Sequence, residues 1–244
     1  EDPDGLKGIN QQKYSKSSQA RYKIIKPYRD KMDNKYQWCI AAVPGEKWAK
    51  KMFPNLRKSQ AIEKLWEAIL NTSRVDDNPI LAWENHNKDI KNRCDYLNSL
   101  GIKTLEYRSA NGTDLKVGMI EDALFMGGSE KAQGSGIEFN PNIPSEEICT
   151  SPEKFGTDGI VFASKPLVLG GKSIENFGFR FEKGKVVEVI AEEGKEMLEA
   201  LVAMDENAGY LGEAALVEYH SPISMSGRVY YTTLIDENAS CNLA

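Results

Sequence analysis

The hydrophobic period of this chain changes once, near residue 101, and that change limits what it can fold into. Up to Gly101 apolar residues recur at helical spacing. Beyond it they fall in short runs divided by turn-forming residues. A helical period and a strand period place side chains on different faces, so one segment cannot serve as both. The pattern predicts an α+β chain, with a helix-rich part over 1–101 and a strand-rich part over 102–244.

In the first part, Tyr22, Ile25, Tyr28 and Met32 predict a surface helix over 9–34, kinked at Pro27. The continuous apolar run Trp38–Val43, ended by Pro44-Gly45, predicts a short buried strand. A short helix is expected over Glu46–Met52, stopped by Pro54. Ile62, Leu65, Trp66, Ile69 and Leu70 give residues 59–73 an apolar helical face. Asn78-Pro79 supplies an N-cap and first-turn proline for another helix, and Gly101 stands where a C-terminal glycine belongs. His86 lies in that helix and reads as a packed or surface histidine.

In the second part, Ile102–Arg108 and Thr113–Met119 flank Ser109-Ala110-Asn111-Gly112, a hairpin signal. Gly159–Ala163, Pro166–Leu169, Phe177–Phe181, Val186–Ala191, Ala214–Tyr219 and Arg228–Leu234 are further expected strands, with one helix over 192–203. Gly127-Gly128 and Gly170-Gly171 read as isolated turns. Neither precedes a Lys-Ser/Thr at phosphate-loop spacing.

Composition excludes several function classes. The net charge is −5, from 31 basic and 36 acidic residues, with no basic stripe, so a nucleic-acid partner is not expected. No apolar run reaches the ~18 residues that span a bilayer, and no secretory signal opens the chain. Cys39, Cys94, Cys149 and Cys241 are scattered, as expected of reduced, mostly buried thiols in a cytoplasmic protein. With only His86 and His220, a His-rich metal site is ruled out and a Ser-His or Cys-His nucleophile is disfavoured. The chain begins without Met and stops at Asn242-Leu243-Ala244, which reads as a piece of a longer chain.

Three acidic stretches stand beside apolar residues rather than in charged runs: Asn142–Glu147, Tyr210–Ala214 and Asp236–Asn242. Each has a structural explanation of its own. Pro-Ser-Glu-Glu suits a helix N-terminus, Leu-Gly-Glu a strand edge, and Asp-Glu-Asn a turn or cap.

Together, NIPSEEICTSP (142–152), YLGEAALV (210–217) and TLIDENASCNLA (233–244) resemble the signature segments of the thermophilic-type metallo-aminopeptidases, the aminopeptidase T, aminopeptidase S and PepS family. WCIAAVPGEKWAKKMFP (38–54), AIEKLWEAI (61–69), GTDLKVG (112–118) and GKVVEVIAEEG (184–194) extend the resemblance over nearly the whole chain. It implies a catalytic domain on an antiparallel sheet at 102–244, preceded by the helix-rich remainder of an α/β domain at 1–101. It further implies a homodimer, peptide substrates, and two divalent ions of the zinc, cobalt or manganese class. By the same resemblance Glu147 and Glu213 are metal ligands, Glu237 is the general base or acid, and Asn242 stands at a ligand position where the family has His.

The chemistry is consistent on physical grounds. Carboxylates bridge paired cations, and a carboxylate that is not a ligand is still needed to move the proton of water. Asn242 is a departure, since an amide oxygen is a weaker ligand than imidazole. The family's remaining ligands, a His and an Asp, fall beyond Ala244. Two functions are therefore expected in competition: an impaired metallo-aminopeptidase, or a catalytically silent binding or dimerisation module.

Overall fold

The structure is a computed structural model that describes residues 2, 5, 6, 8–169 and 172–244. The expected turn at Gly170-Gly171 lies outside the described residues. Four helices come first: α1 Gln11–Met32, α2 Glu46–Met52, α3 Lys58–Thr72 and α4 Pro79–Ser99, with the two-residue strand β1 Ile40–Ala41 between α1 and α2. There follow β2 Thr104–Arg108, β3 Asp114–Met119, β4 Glu130–Lys131, β5 Glu138–Phe139, β6 Asn142–Ile143, β7 Glu147–Thr150 and β8 Pro152–Phe162. Next come β9 Leu167–Leu169, β10 Lys172–Ile174, β11 Phe177–Glu182, β12 Lys185–Ala191 and α5 Lys195–Val202. The chain ends with β13 Ala214–Val217, α6 Pro222–Ser226, α7 Thr233–Asp236, a 3-10 turn Glu237–Ala239 and β14 Asn242–Leu243. No helix among the described residues is long and apolar enough to cross a membrane.

The architecture is the expected α+β. An antiparallel five-stranded sheet, order β12-β11-β8-β3-β2, forms the larger layer. A second antiparallel sheet, β14-β13-β7, has three short strands. The hairpin predicted around Ser109–Gly112 joins β2 to β3. The predicted cap of α4 is present, with Asn78 Oδ1 accepting from the Leu81 N–H, and Gly101 follows the helix at φ +59°.

The buried apolar residues form separate clusters, two of which involve the first four helices. Trp48, Leu65 and Ile69 of α2 and α3 pack against Ile223, Tyr230, Ile235 and Ala239 near the C-terminus. Ile90 and Cys94 of α4 pack against Phe125 and Ile148. The helical part thus packs against the C-terminal helices in one cluster and against β7 in another.

Several local expectations are corrected. The Trp38–Val43 run is not a buried strand. Among the described residues it pairs only as β1 with β6, and Ile40 and Val43 are exposed while Ala42 alone of the run is buried. The buried stripe of α3 is Ala61-Leu65-Ala68-Ile69-Thr72, while Trp66 and Leu70 face outward. Of the cysteines, only Cys94 is buried. Arg228–Leu234 is not a strand. The Asp236 carboxylate accepts the N–H groups of Tyr230 (2.7 Å) and Thr232 (3.2 Å), the donors that a ladder would need, and Tyr231 turns the chain at φ +57°.

Candidate metal centre

Strand parity assembles the site. Glu147 and Cys149 are two apart in β7 and so point to the same face. Ala215 of β13 lies opposite Cys149 on one side and Asn242 of β14 on the other. Residues directly opposite in an antiparallel pair share a face, which brings Asn242 to the same side. Glu213, two residues before Ala215, joins them. Ala215 is fully buried and carries only a methyl group, which leaves the middle of this face open.

One ligand atom each of Glu147, Cys149 and Glu213 lies within 4.8 Å of the others. Asn242 Nδ2 donates to Glu147 Oε2 at 2.9 Å and to the Glu237 carbonyl at 3.1 Å. Of the two histidines, neither belongs to the cluster. His86 is buried behind it, and His220 is exposed in a turn with its ring edge-on to Tyr219.

The electrostatics are those of crowded, half-buried negative charge. Burial raises the pKa of Glu147, the charge of Glu213 adds to this, and the Asn242 hydrogen bond opposes it. Burial, then the charges of Glu147 and Glu213, push the Glu237 carboxyl up to about 7. Burial raises the Cys149 thiol strongly, and the neighbouring carboxylates reinforce it. A divalent cation would relieve all three, and hard carboxylates plus a softer thiol form a donor set that suits such an ion.

The three motif segments owe their placement to residues that do not face the cluster. Pro-Ser-Glu-Glu does not begin a helix. Glu146 and Glu147 are neighbours with opposite duties. The Glu146 side chain is 2% exposed and is paired with Arg74 through two hydrogen bonds. Ser145 offers its carbonyl to His86 Nε2 at 2.6 Å, and burial keeps that imidazole neutral with a pKa of about 4. Gly127 runs beside Glu147 so closely that a Cβ would clash with the Glu147 carbonyl oxygen, and Gly128 turns the chain at φ +80°. In Asp236-Glu237-Asn238 the outer two side chains are engaged elsewhere, Asp236 with the 230–232 turn and Asn238 with the Glu146 N–H. Glu237 is left beside the cluster. It sits where α7 passes into the 3-10 turn.

The structure therefore brings together Glu147, Glu213, Glu237 and Asn242, and adds Cys149. The sequence signal for Cys149 was its i+2 spacing from Glu147 within a strand. Arg74 and His86 had no local signal, because their partners lie 72 and 59 residues away.

A profile described as thermophilic metalloprotease (M29) matches residues 1–244. The chain is 42% identical over 244 residues to aminopeptidase AmpS of Bacillus subtilis, covering 99% of this chain and 59% of that one. It is 39% identical over 245 residues to aminopeptidase T of Thermus thermophilus, covering 100% of this chain and 60% of that one. The solved structure of wild-type AmpT from Thermus thermophilus matches with a TM-score of 0.91, at 39% identity, over 100% of this chain and 60% of that one. The chain thus spans about 60% of the length of these relatives. On the profile match, the relatives and the shared fold, the chain belongs to the M29 thermophilic metalloprotease family.

Proposed function

We propose that this chain carries the carboxylate half of a metallo-aminopeptidase centre that releases N-terminal amino acids from peptides. The observation that carries the reading is the convergence of Glu147, Glu213 and Asn242 on one sheet face with Glu237 beside them. Glu147 and Glu213 would hold two divalent ions of the zinc, cobalt or manganese class, with Asn242 at a third, weaker position. When bound, such ions polarise a peptide carbonyl and lower the pKa of water. Glu237 is the proton carrier. It would take a proton from water and return it to the leaving amine. Residues 1–101 would support the site, and residues 102–244 would carry it. The protein would be a cytoplasmic homodimer.

A second reading has its own observation. Asn242 spends its amide donors on Glu147 Oε2 and on the Glu237 carbonyl, so it engages a Glu147 oxygen by a hydrogen bond in place of an ion. On this reading the chain is a catalytically silent binding or dimerisation module.

Hydrolysis of aminoacyl-p-nitroanilides, with zinc, cobalt or manganese restored after chelation, separates the two. Metal-dependent release that is lost in Glu147→Gln supports the peptidase. Bound metal with no release favours the silent module. Release indifferent to both chelator and Glu147→Gln overturns the site assignment.

A further inference from the structure

We propose that Asn238 is a positioning residue that fixes Glu147 relative to Glu237 and thereby sets the affinity of the centre for a divalent ion. The inference rests on the reading that Glu147 and Glu213 hold that ion.

Asn238 is fully buried, and its amide is used at both ends. Oδ1 accepts from the Glu146 N–H at 2.6 Å, and Nδ2 donates to the Leu234 carbonyl at 3.0 Å. Its own carbonyl accepts from Ser221 Oγ at 3.2 Å. The link to Glu146 spans 92 residues of sequence. Asn238 directly follows Glu237, and Glu146 directly precedes Glu147. This contact therefore ties the backbones of the two segments whose carboxylates face the cluster, beside the side-chain tie that Asn242 makes to both.

The segment before β7 depends on this contact. Downstream, Glu147 to Thr150 are held by the ladder to β13. Upstream, no ladder crosses Ser145 and Glu146. They are held by His86 on the Ser145 carbonyl, Arg74 on the Glu146 carboxylate and Asn238 on the Glu146 N–H. The first two bonds come from the helical part. Only Asn238 comes from the element that carries Glu237. Loss of this bond frees the Glu146 N–H and leaves the Asn242 amide, which donates to Glu147 Oε2 and to the Glu237 carbonyl, as the remaining side-chain tie between the two segments.

A buried asparagine that merely satisfies its own polar atoms would serve stability alone, and the experiment distinguishes that role. Zinc affinity, by competition with a chromophoric chelator, and melting temperature are measured on the whole chain. Asn238→Ser, which is too short to reach Glu146, is compared with Leu65→Ala, which empties the core shared with α7 without touching the link. Asn238→Ser is expected to weaken zinc binding about 10- to 100-fold, the usual effect of a residue that orients a ligand. Leu65→Ala is expected to lower the melting temperature at least as much and to leave affinity within about twofold. Asn238→Gln covers the case in which the serine variant does not fold. It keeps the amide chemistry but displaces it by one methylene, so a stability role predicts unchanged affinity and a positioning role predicts about a tenfold loss. Glu147→Gln is the control. If it loses zinc while the Asn238 variants keep wild-type affinity, the positioning role is overturned. If zinc binding is absent in the wild type, or is unaffected by Glu147→Gln, the underlying ligand assignment fails and the positioning role falls with it.

Discussion

Asn242 donates its amide to the Glu147 carboxylate at 2.9 Å, so a neutral hydrogen-bond donor stands at the position proposed for a third ligand. The bond opposes the pKa rise that burial imposes on Glu147. It also occupies an oxygen that a cation needs. Replacing Asn242 with His exchanges a competitor for a ligand, since neutral imidazole binds zinc far better than an amide oxygen does. Asn242→His is expected to tighten zinc binding by at least about tenfold, because changes among direct ligands exceed the 10- to 100-fold effects of their supports. Isothermal titration calorimetry reads this directly. Equal affinities would remove position 242 from the ligand set.

Ala215 offers a steric test of the same face. It sits between Cys149 and Asn242 in the ladder, and a larger side chain there would project into the cluster. Ala214 is equally buried, but points to the opposite face. Ala215→Val and Ala214→Val should both lose about 1–3 kcal/mol from overpacking. Only Ala215→Val should also lose metal. Equal metal contents in the two variants would contradict the parity argument.

Much of this was legible from short-range chemistry. The caps of α4, the β2–β3 hairpin and the two-part texture follow from local rules, and all three are present. Errors arose where a side chain took over from the backbone ladder. Arg228–Leu234 has strand composition, but the Asp236 carboxylate captures its donors. Pro-Ser-Glu-Glu has the composition of a helix start, but Arg74, His86 and Asn238 hold Ser145 and Glu146 ahead of β7. Glu146 and Glu147 look alike in sequence. Only the fold shows that one serves an ion pair and the other the cluster.

The Arg74–Glu146 pair yields a third prediction. Glu146 is almost wholly buried, so removal of Arg74 strands a charge, at a cost of about 3–5 kcal/mol. Arg74→Met is expected to unfold at much lower denaturant than wild type. Arg74→Met combined with Glu146→Leu is expected to recover most of the loss, because a well-packed apolar pair often matches a buried ion pair. Urea unfolding of the three chains checks this. A double variant no more stable than Arg74→Met would mean that the pair contributes more than charge compensation.

Burial of His86 predicts an acid limb. Its pKa in the fold is about 4, against 6.5 in an unfolded chain. Between these values the unfolded state binds a proton that the folded state refuses. Stability therefore rises with pH through that window and is lost as pH falls from about 6.5 to 4. His86→Gln removes this dependence. Subtracting its pH–stability curve from that of wild type should leave a difference that grows steadily below pH 6.5. A flat difference would show that His86 has the same pKa in the folded and unfolded chains.

Glu237 predicts the opposite slope. Its pKa is raised from 4.5 to about 7 by burial and by Glu147 and Glu213. Between those values the folded chain keeps a proton that the unfolded chain has released, so this group lowers stability as pH rises from about 4.5 to 7. Glu237→Gln removes the penalty. In the metal-free chain the variant should match wild type below pH 4.5 and exceed it above pH 7. The gain should be about 1–2 kcal/mol, after discounting for the solvent that reaches this half-buried group. The same variant tests the proton-carrier role. Glutamine is nearly isosteric but cannot accept a proton, so metal content should hold while kcat falls by about 10²–10⁴-fold. Glu147→Gln should instead lose metal and turnover together. Chemical denaturation across pH, metal analysis and kcat on the same preparations decide the matter. If Glu237→Gln gains no stability at pH 8 and keeps full turnover, Glu237 is neither crowded by its neighbours nor engaged in proton transfer.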